Sequence, residues 1–543
     1  MDKIKQKVDN QIKYSDVDTK LYITIDDVIN SVKKLKCSKA DGSEGLYSDH
    51  LINGSHSLFV LLSLIFNSML VHGVAPDSML LGTMVPIPKN KRQSLSNSDN
   101  YRSIALSSII GKILDIIILM KEEHTLLSSA LQFGFKQESS TTQCSMILNE
   151  TISYYNYNHT NVYVLMLDAT KAFDRVQYCK LFQQLLDRKV SPIILRLLIN
   201  MYTSQKLQVR WGTEVSDSFN VSNGVKQGGI LSPILFAVYI DGLLSTLEKQ
   251  GIGCHIGSKF VGALAYADDI TLISPTVDGM RRMIKTCEDY AKEYNIMFNG
   301  KKSQLLMFKG RNCKSMFCDI YVNGAIVKYI EKAVHLGHTI STIDRESNVK
   351  KAISEFWKSF NIFHSDFGHV RADIKNKLFQ QYCCSFYGSP LWKLDSNSVN
   401  DICIAWRKSL RMLWNVPYMT HCYIVEGLAG SAPLQDQLGH RFVKFFKKCQ
   451  KSTNDIVSFV IKACQLNPMS VTWCNYKSLV FKHNINIMND PKCLYQQSNI
   501  IRKNNKDTLS VLYELIMVRD NHLLCDIFDL SEVQDFIHNI CVA

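Results

Sequence analysis

Among its 543 residues this chain has no run that is both long and free enough of charge to cross a bilayer. Its two most apolar stretches are Leu58–Val71, which is too short, and Ile104–Met120, which carries Lys112 and Asp115 inside it. Both read as buried helices, and no membrane partner is expected. The first twenty residues hold no apolar segment between a basic start and a small-residue cleavage site, so no secretory signal is expected either. There is no repeat of fixed period and no low-complexity tract. Metal-binding cysteine patterns are missing too. Cys313 and Cys318 form a pair with four residues between them, and Cys383 and Cys384 are adjacent, but neither has a second pair at zinc-ligand spacing. The seventeen cysteines are therefore expected to be reduced thiols filling cores.

What is present is an ordinary globular composition, 46% apolar and 20% charged, in a chain long enough for two to four packed subdomains. The net charge of +13 favours an anionic partner without naming one. Residues 20–130 read as mostly helical, interrupted by a basic loop over Pro86–Arg92 and Ser94–Asn100. From Val162 the texture changes. Val162–Leu167 is a β-prone apolar run ending in Asp168, and a helical stretch follows to about Tyr202. Leu207–Trp211 and Phe219–Val221 look like a hairpin, and a turn at Gly224–Gly229 opens a helix from Pro233 to about Lys249. Two more β-prone runs flank Asp268-Asp269, and a helix is expected over Val277–Glu293. Alternating strands and helices with acids at strand ends give an α+β class with an open sheet. Beyond residue 345 the chain is helical again, rich in aromatic and basic side chains.

The acids carry the chemistry. Asp168 follows a buried strand, so its side chain emerges at the strand end. Asp268 and Asp269 lie between Tyr266 and Ile270, and neighbouring side chains on a strand point to opposite faces, so a turn is needed to bring both to one site. Three carboxylates gathered together repel unless cations lie between them. Hard divalent ions with oxygen ligands, Mg2+ or alternatively Mn2+, meet that demand. Two such ions about 3.5–4 Å apart clamp the attacking and leaving oxygens of a phosphoryl displacement. An Asp-Asp pair met alone is more often a solvated surface feature; here the apolar flanks argue otherwise.

Five segments carry a family resemblance. Leu167-Asp168-Ala169-Thr170-Lys171-Ala172-Phe173-Asp174 comes first, then Gly224-Val225-Lys226-Gln227-Gly228-Gly229-Ile230-Leu231-Ser232-Pro233. Ala265-Tyr266-Ala267-Asp268-Asp269, Phe298-Asn299-Gly300-Lys301-Lys302-Ser303 and His335-Leu336-Gly337-His338 follow. In order and spacing they resemble the palm motifs of LINE-type (non-long-terminal-repeat) reverse transcriptases. Upstream, Lys39–Leu46 and Asn100–Leu106 are similar to the family's fingers motifs, and Gln132-Phe133-Gly134-Phe135 to the segment before the first palm strand.

The resemblance implies a right-hand polymerase: a lead-in over 1–24, fingers and palm over 25–345, a helical thumb over 346–455 and a mostly helical extension over 456–543. It implies an RNA-directed DNA polymerase working with two Mg2+ ions, an RNA template, a DNA primer and deoxynucleoside triphosphates. Asp168, Asp268 and Asp269 become metal ligands and catalytic residues. Phe173 falls at the steric gate that crowds a ribose 2′-hydroxyl, and Gln227 with Gly228 lies against the incoming nucleotide. Lys89 and Arg102 match positions that contact the triphosphate, with Lys91 and Arg92 close competitors of Lys89. Lys302 takes the place of a proton donor to pyrophosphate, with Lys301 its rival by one residue. Asp174 belongs to the motif in a structural role. His335, Leu336 and Gly337 match the primer grip.

In the helical region, Arg407 and Arg411 sit beside Trp406 and Trp414, while Arg441, Lys444 and Lys448 alternate with Phe442, Phe445 and Phe446. That spacing suits a basic face toward nucleic acid and equally a solvated amphipathic helix. No endonuclease signature is seen, so a fragment, a truncated copy and a host-adopted gene all stay open, as does oligomeric state. The family's life cycle implies an intracellular protein, translated in the cytoplasm and copying at chromosomal DNA. Two other functions compete: an RNA-directed RNA polymerase, and a catalytically silent RNA-binding protein on a polymerase scaffold.

Overall fold

The computed structural model describes residues 1–14, 21–40, 45–314 and 317–483, and beyond them 494–495, 500, 503–519 and 530–542. Part of the fingers-like segment Lys39–Leu46 and part of the C-terminal extension thus lie outside the described residues. The class is α+β with a helical C-terminal region, as expected.

The N-terminal third is less helical than its sequence suggests. Strands β1 (Leu81–Pro88) and β2 (Tyr101–Leu106) pair antiparallel within the stretch expected to be helix and loop. Pro86 and Pro88, which argue against a strand, are tolerated for a simple reason. The opposite edge of β1 is paired only over Leu81–Met84, so the prolines' missing N–H groups fall where no ladder continues. Ile104–Met120 is likewise no single helix: Ile104 belongs to β2, and helix α1 (Ile109–Lys121) begins after it. The helix His56–His72 does form, yet it leaves Leu61, Leu64 and Val71 exposed and is not wholly buried.

The centre is a four-stranded antiparallel sheet. Helix α2 (Thr141–Tyr157) precedes β3 (Val162–Leu167). After the strand β4 (Lys206–Trp211), which runs parallel to β1, comes helix α3 (Ser232–Gln250), opened by Pro233 in its first turn and ended by Gly251 at φ +62°. The hairpin β5 (Ala263–Tyr266) and β6 (Asp269–Ser274) follows, then helix α4 (Val277–Glu293) and strand β7 (Gln304–Phe308). The order is β7-β3-β6-β5. Val162, Val164, Leu165, Leu272 and Ile273 are wholly buried, because helices cover the sheet and β-branched residues pack well in a strand closed in this way. Helix α4 turns one stripe inward, Met280, Met283, Ile284, Cys287 and Ala291, at the spacing an amphipathic helix requires.

A two-stranded hairpin, β8 (Lys332–His335) and β9 (His338–Ser341), leads into the helical region. There α5 (Ser347–Phe367), α6 (Ala372–Tyr382), α7 (Asn397–Trp414) and α8 (Leu434–Gln450) close around Phe360, Phe379, Trp392, Trp406, Trp414 and Phe442. The chain then doubles back. Asn454 donates to the Ala130 carbonyl (2.7 Å), Ser153 to that of Met469 (3.0 Å), and Thr472 N–H to buried Glu150 (3.2 Å). Asn475 bonds the Trp392 carbonyl and the Leu394 N–H (2.7 and 2.9 Å), so one segment binds both the central domain and the helical one. Among the described residues no helix is long and apolar enough to cross a membrane.

Candidate active site

The three acids converge because two strand ends meet. The antiparallel ladder of β3 and β6 pairs Leu167 with Ile270, so one step further it sets Asp168 opposite Asp269. Asp269 also pairs with Tyr266 across the β5–β6 hairpin, leaving Ala267 and Asp268 as the turn, with Ala267 in the left-handed region at φ +58°. The motif around Asn299 braces the first acid from behind. Asn299 N–H donates to the Asp168 carbonyl (2.9 Å), and the Ser303 hydroxyl accepts from Asp168 N–H (3.2 Å).

Crowding shows in the acids' affinities for protons. Partial burial, and then the charge of Asp168, lifts Asp268 above the usual carboxylate range, with Arg102 pulling the other way. Burial together with Asp268 and Asp168 raises Asp269 to about 6. As placed, no group of three His, Cys, Asp or Glu side chains among the described residues is arranged to hold an ion. The donor set nonetheless suits a hard cation: every ligand is a carboxylate oxygen, and each carboxylate raises the cost of ionising the next.

The side expected to face a nucleotide is built from turns. Phe173 opens a short 3-10 turn and stacks on Phe236, with ring centroids 4.6 Å apart. The glycine-rich loop docks on that turn, Val225 N–H donating to the Phe173 carbonyl and Gly224 N–H to that of Val176, both at 2.8 Å. On its other side Ala105 N–H of β2 donates to the Gln227 carbonyl (2.7 Å). Gly228, at φ +105°, lies where a Cβ would sit 3.0 Å from the Ala105 carbonyl oxygen, so the approach needs glycine on both counts. The Gln227 side chain is 3.5 Å from Asp174, whose carboxyl burial pushes up.

The expected cations gather round an acid that sequence reasoning passed over. Arg102 is exposed on β2, and its charge reaches Asp268. Lys89 donates to the Asp99 carbonyl oxygen (2.9 Å), and Lys171 pairs with the Asp99 carboxylate (3.1 Å). Lys171, then Lys89 and Lys302, hold that carboxyl below its usual range, so of the rivals Lys301 and Lys302 it is Lys302 whose charge reaches Asp99. Lys171, three residues after Asp168 in the same motif, was the available signal. A second unforeseen group lies behind the loop: half-buried Asp115 is pushed up to about 7 by desolvation, offset first by Lys226.

Several residues expected against nucleic acid face elsewhere. Ladder alternation turns Ala333 and His335 inward, and His335 is only 5% exposed, with Nδ1 2.8 Å from the Ser145 hydroxyl. Burial drives that imidazole down to about 3, so the ring is a neutral core group and no nucleic-acid contact. Leu336 and Gly337 form the turn, where the Tyr387 hydroxyl donates to the Leu336 carbonyl (2.9 Å). Arg411 donates twice to the Thr420 carbonyl, and Arg441 to those of Ser385 and Cys384 (2.7 and 3.0 Å) while lying over Phe386. Arg407 stands 3.8 Å from Glu426. The Arg411 and Arg441 guanidinium groups tie their helices to neighbouring loops, since a planar fork can donate more than once. Lys444 and Lys448 remain exposed.

With this geometry in view, residues 87–353 match the family model described as reverse transcriptase (RNA-dependent DNA polymerase). The chain is 24% identical over 462 residues to the RNA-directed DNA polymerase from mobile element jockey of Drosophila funebris, covering 80% of this chain and 48% of that protein. It is 29% identical over 237 residues to a Pol polyprotein from type-1 retrotransposable element R2 of Popillia japonica, covering 43% and 32%. The chain therefore spans about half the length of the jockey relative. Among solved structures it is similar to apo telomerase from Candida tropicalis, at 16% identity and a TM-score of 0.36 over 86% of this chain and 78% of that one.

Proposed function

We propose, on the premise that this chain carries a reverse transcriptase domain of the LINE (non-long-terminal-repeat) type over residues 87–353, that it extends a DNA primer with deoxynucleotides on an RNA template. The observation that carries this reading is the meeting of Asp168, Asp268 and Asp269 at two paired strand ends, with Arg102 near enough for its charge to act on Asp268. Residues 25–345 serve as fingers and palm, 346–455 as thumb and 456–543 as an extension, at work inside the cell.

Asp168, Asp268 and Asp269 would hold two divalent ions, Mg2+ or in its place Mn2+. Bound there, the pair supplies Lewis acidity to the primer hydroxyl and to the leaving phosphate. The protein's own groups do the rest. Phe173, fixed by its stack on Phe236, excludes a 2′-hydroxyl. Gln227 and Gly228, held between β2 and the Phe173 turn, form the floor for the incoming base and sugar. Arg102, Lys89 and Lys302 neutralise the triphosphate, whose charge grows as pyrophosphate leaves, and Lys302 delivers a proton to it. Leu336 and Gly337 meet the primer, and the exposed Lys444 and Lys448 meet backbone phosphates.

The test is extension of oligo-dT on poly-rA in Mg2+, with dTTP and UTP in parallel, comparing the natural chain with Asp268→Asn. Extension by dTTP alone, abolished by the substitution, is the expected result. Extension by UTP as well would return the reading to an RNA polymerase. A folded chain that binds the hybrid yet extends with neither would leave an RNA-binding scaffold.

A further inference from the structure

The third acid motif is held in shape by a side chain far away in sequence. Gln132 is completely buried. Its Oε1 accepts from Ala267 N–H and from Gly134 N–H, each at 2.9 Å, and its Nε2 reaches the Ala267 carbonyl at 3.4 Å. One carboxamide therefore engages both the N–H and the C=O of the residue immediately before Asp268. The main chain around it lies along β5: Phe133 N–H donates to the Ala265 carbonyl (2.8 Å), and Ala265 N–H to that of Leu131 (2.9 Å). Gly134 permits the approach, since a Cβ there would stand 2.4 Å from the Ala267 nitrogen.

The arrangement compensates for a conformation the sequence disfavours. Ala267, 7% exposed, has φ +58°, a region that an L-residue enters at a cost and that glycine enters freely. Its peptide groups are shut away from water and need partners in that conformation. Gln132 supplies an acceptor and a donor at once, a combination that the carboxamides of Asn and Gln provide. Without the clamp the turn is free to leave the left-handed region, and the direction in which Asp268 departs from the hairpin changes with it. The sheet itself does not depend on this group: β3, β6 and β7 pair through their own ladders around a buried apolar core.

We infer that Gln132 is a positioning residue, clamping the Ala267 peptide so that Asp268 points into the cluster with Asp168 and Asp269. The inference rests on the proposed polymerase reading for its consequence in catalysis, while the geometry stands apart from it. Groups that orient metal ligands without touching the metal typically cost about 10–100-fold in metal affinity or activity when removed.

The experiment compares the full natural chain with Gln132→Met, which keeps the volume and removes both hydrogen-bonding functions, and with Gln132→Glu, which keeps the acceptor. Asp268→Asn is the reference. Mn2+ binding is followed by electron paramagnetic resonance, alongside thermal melting and, separately, kcat, the KM for dTTP and the Mg2+ concentration for half-maximal rate. Gln132→Met is expected to weaken Mn2+ binding about tenfold or more, raise the half-maximal Mg2+ concentration and lower kcat, with the KM for dTTP within about twofold. Its melting midpoint stays near that of the natural chain, and Gln132→Glu falls between the two in Mn2+ affinity. Unchanged Mn2+ affinity in Gln132→Met overturns the inference, and so does unfolding of both variants, which would make Gln132 a folding residue only. If the natural chain copies no template but loses Mn2+ through both Asp268→Asn and Gln132→Met, the clamp stands and the polymerase reading falls.

Discussion

The central sheet is legible from five ordered motifs and the basic face of the helical C-terminal region from amphipathic spacing alone, and the structure treats them differently. In the sheet, Asp168, Asp268, Asp269, Phe173 and Gln227 are carried by short turns at strand ends, where backbone geometry rather than burial decides which residue fits. In the helices, arginines that alternate with aromatics at amphipathic spacing bond the carbonyls of Thr420, Cys384 and Ser385, while Lys444 and Lys448 stay exposed. A periodic basic face states which side of a helix avoids the core. It does not state what the cations touch, because a long side chain can reach the carbonyls of a neighbouring segment.

The largest effect that sharpens the contrast is the loss of an acid. Asp268→Asn is expected to reduce dTTP incorporation by on the order of 100-fold or more in a primer-extension assay, with melting little changed. Next comes Gly228→Ala. It forces a strained φ and a Cβ 3.0 Å from the Ala105 oxygen, so the loop is displaced. Backbone strain of about 1–3 kcal/mol corresponds to roughly a 5- to 150-fold fall in kcat/KM for dTTP. The helical region should respond in the opposite sense. Arg441→Met should lower the free energy of unfolding by about 1–3 kcal/mol in denaturant titration, as two carbonyls lose their partner, and leave the salt dependence of hybrid binding intact. Lys444→Gln with Lys448→Gln should do the reverse, lowering the slope of log affinity against log salt by up to about 2 with no change in melting. An arginine substitution that altered only the salt slope would break the comparison.

A smaller effect follows from His335 and His338, whose imidazoles burial depresses to about 3 and about 4. A base with a lowered folded pKa contributes stability that is present above about pH 6.5 and is lost as pH falls below it, because the unfolded ring takes a proton that the buried one refuses. Denaturant titrations from pH 7.5 to 5 should show a decline that His335→Gln makes shallower. The smallest expected change is at Asp99. Asp99→Asn removes the carboxylate that offsets Lys89 and Lys302, and the KM for dTTP should fall by about twofold, the scale of an exposed ion pair.

How much of this was legible in the sequence depends on the distance over which each partner acts. Asp168 declares itself by the apolar run that ends at it, and Gly228 and Pro233 by rules for turns and helix starts. The burial of His335 follows from strand alternation once the hairpin is known, but the ring's partner Ser145 lies 190 residues away. The strand β1 hides behind two prolines whose permissibility depends on where β4 stops pairing, which no local pattern records. Gln132 was visible as part of a motif, while its purpose needed the knowledge that residue 132 lies beside residue 265. Local conformation is written locally; the partner that satisfies a buried polar atom is not.

The segment from Asn454 to Asn475 gives the molecule a mechanical property. Asn454 bonds it to the Ala130 carbonyl, Thr472 to α2, and Asn475 to the Trp392–Leu394 corner of the helical region. With the covalent passage from β9 into α5 and the hydrogen bonds of the Tyr387 hydroxyl to Leu336 and Thr141, the two halves are tied at several separate points, as a lid is held by several clasps. Any swing of the helices toward or away from the acids therefore has to break several of these ties at once.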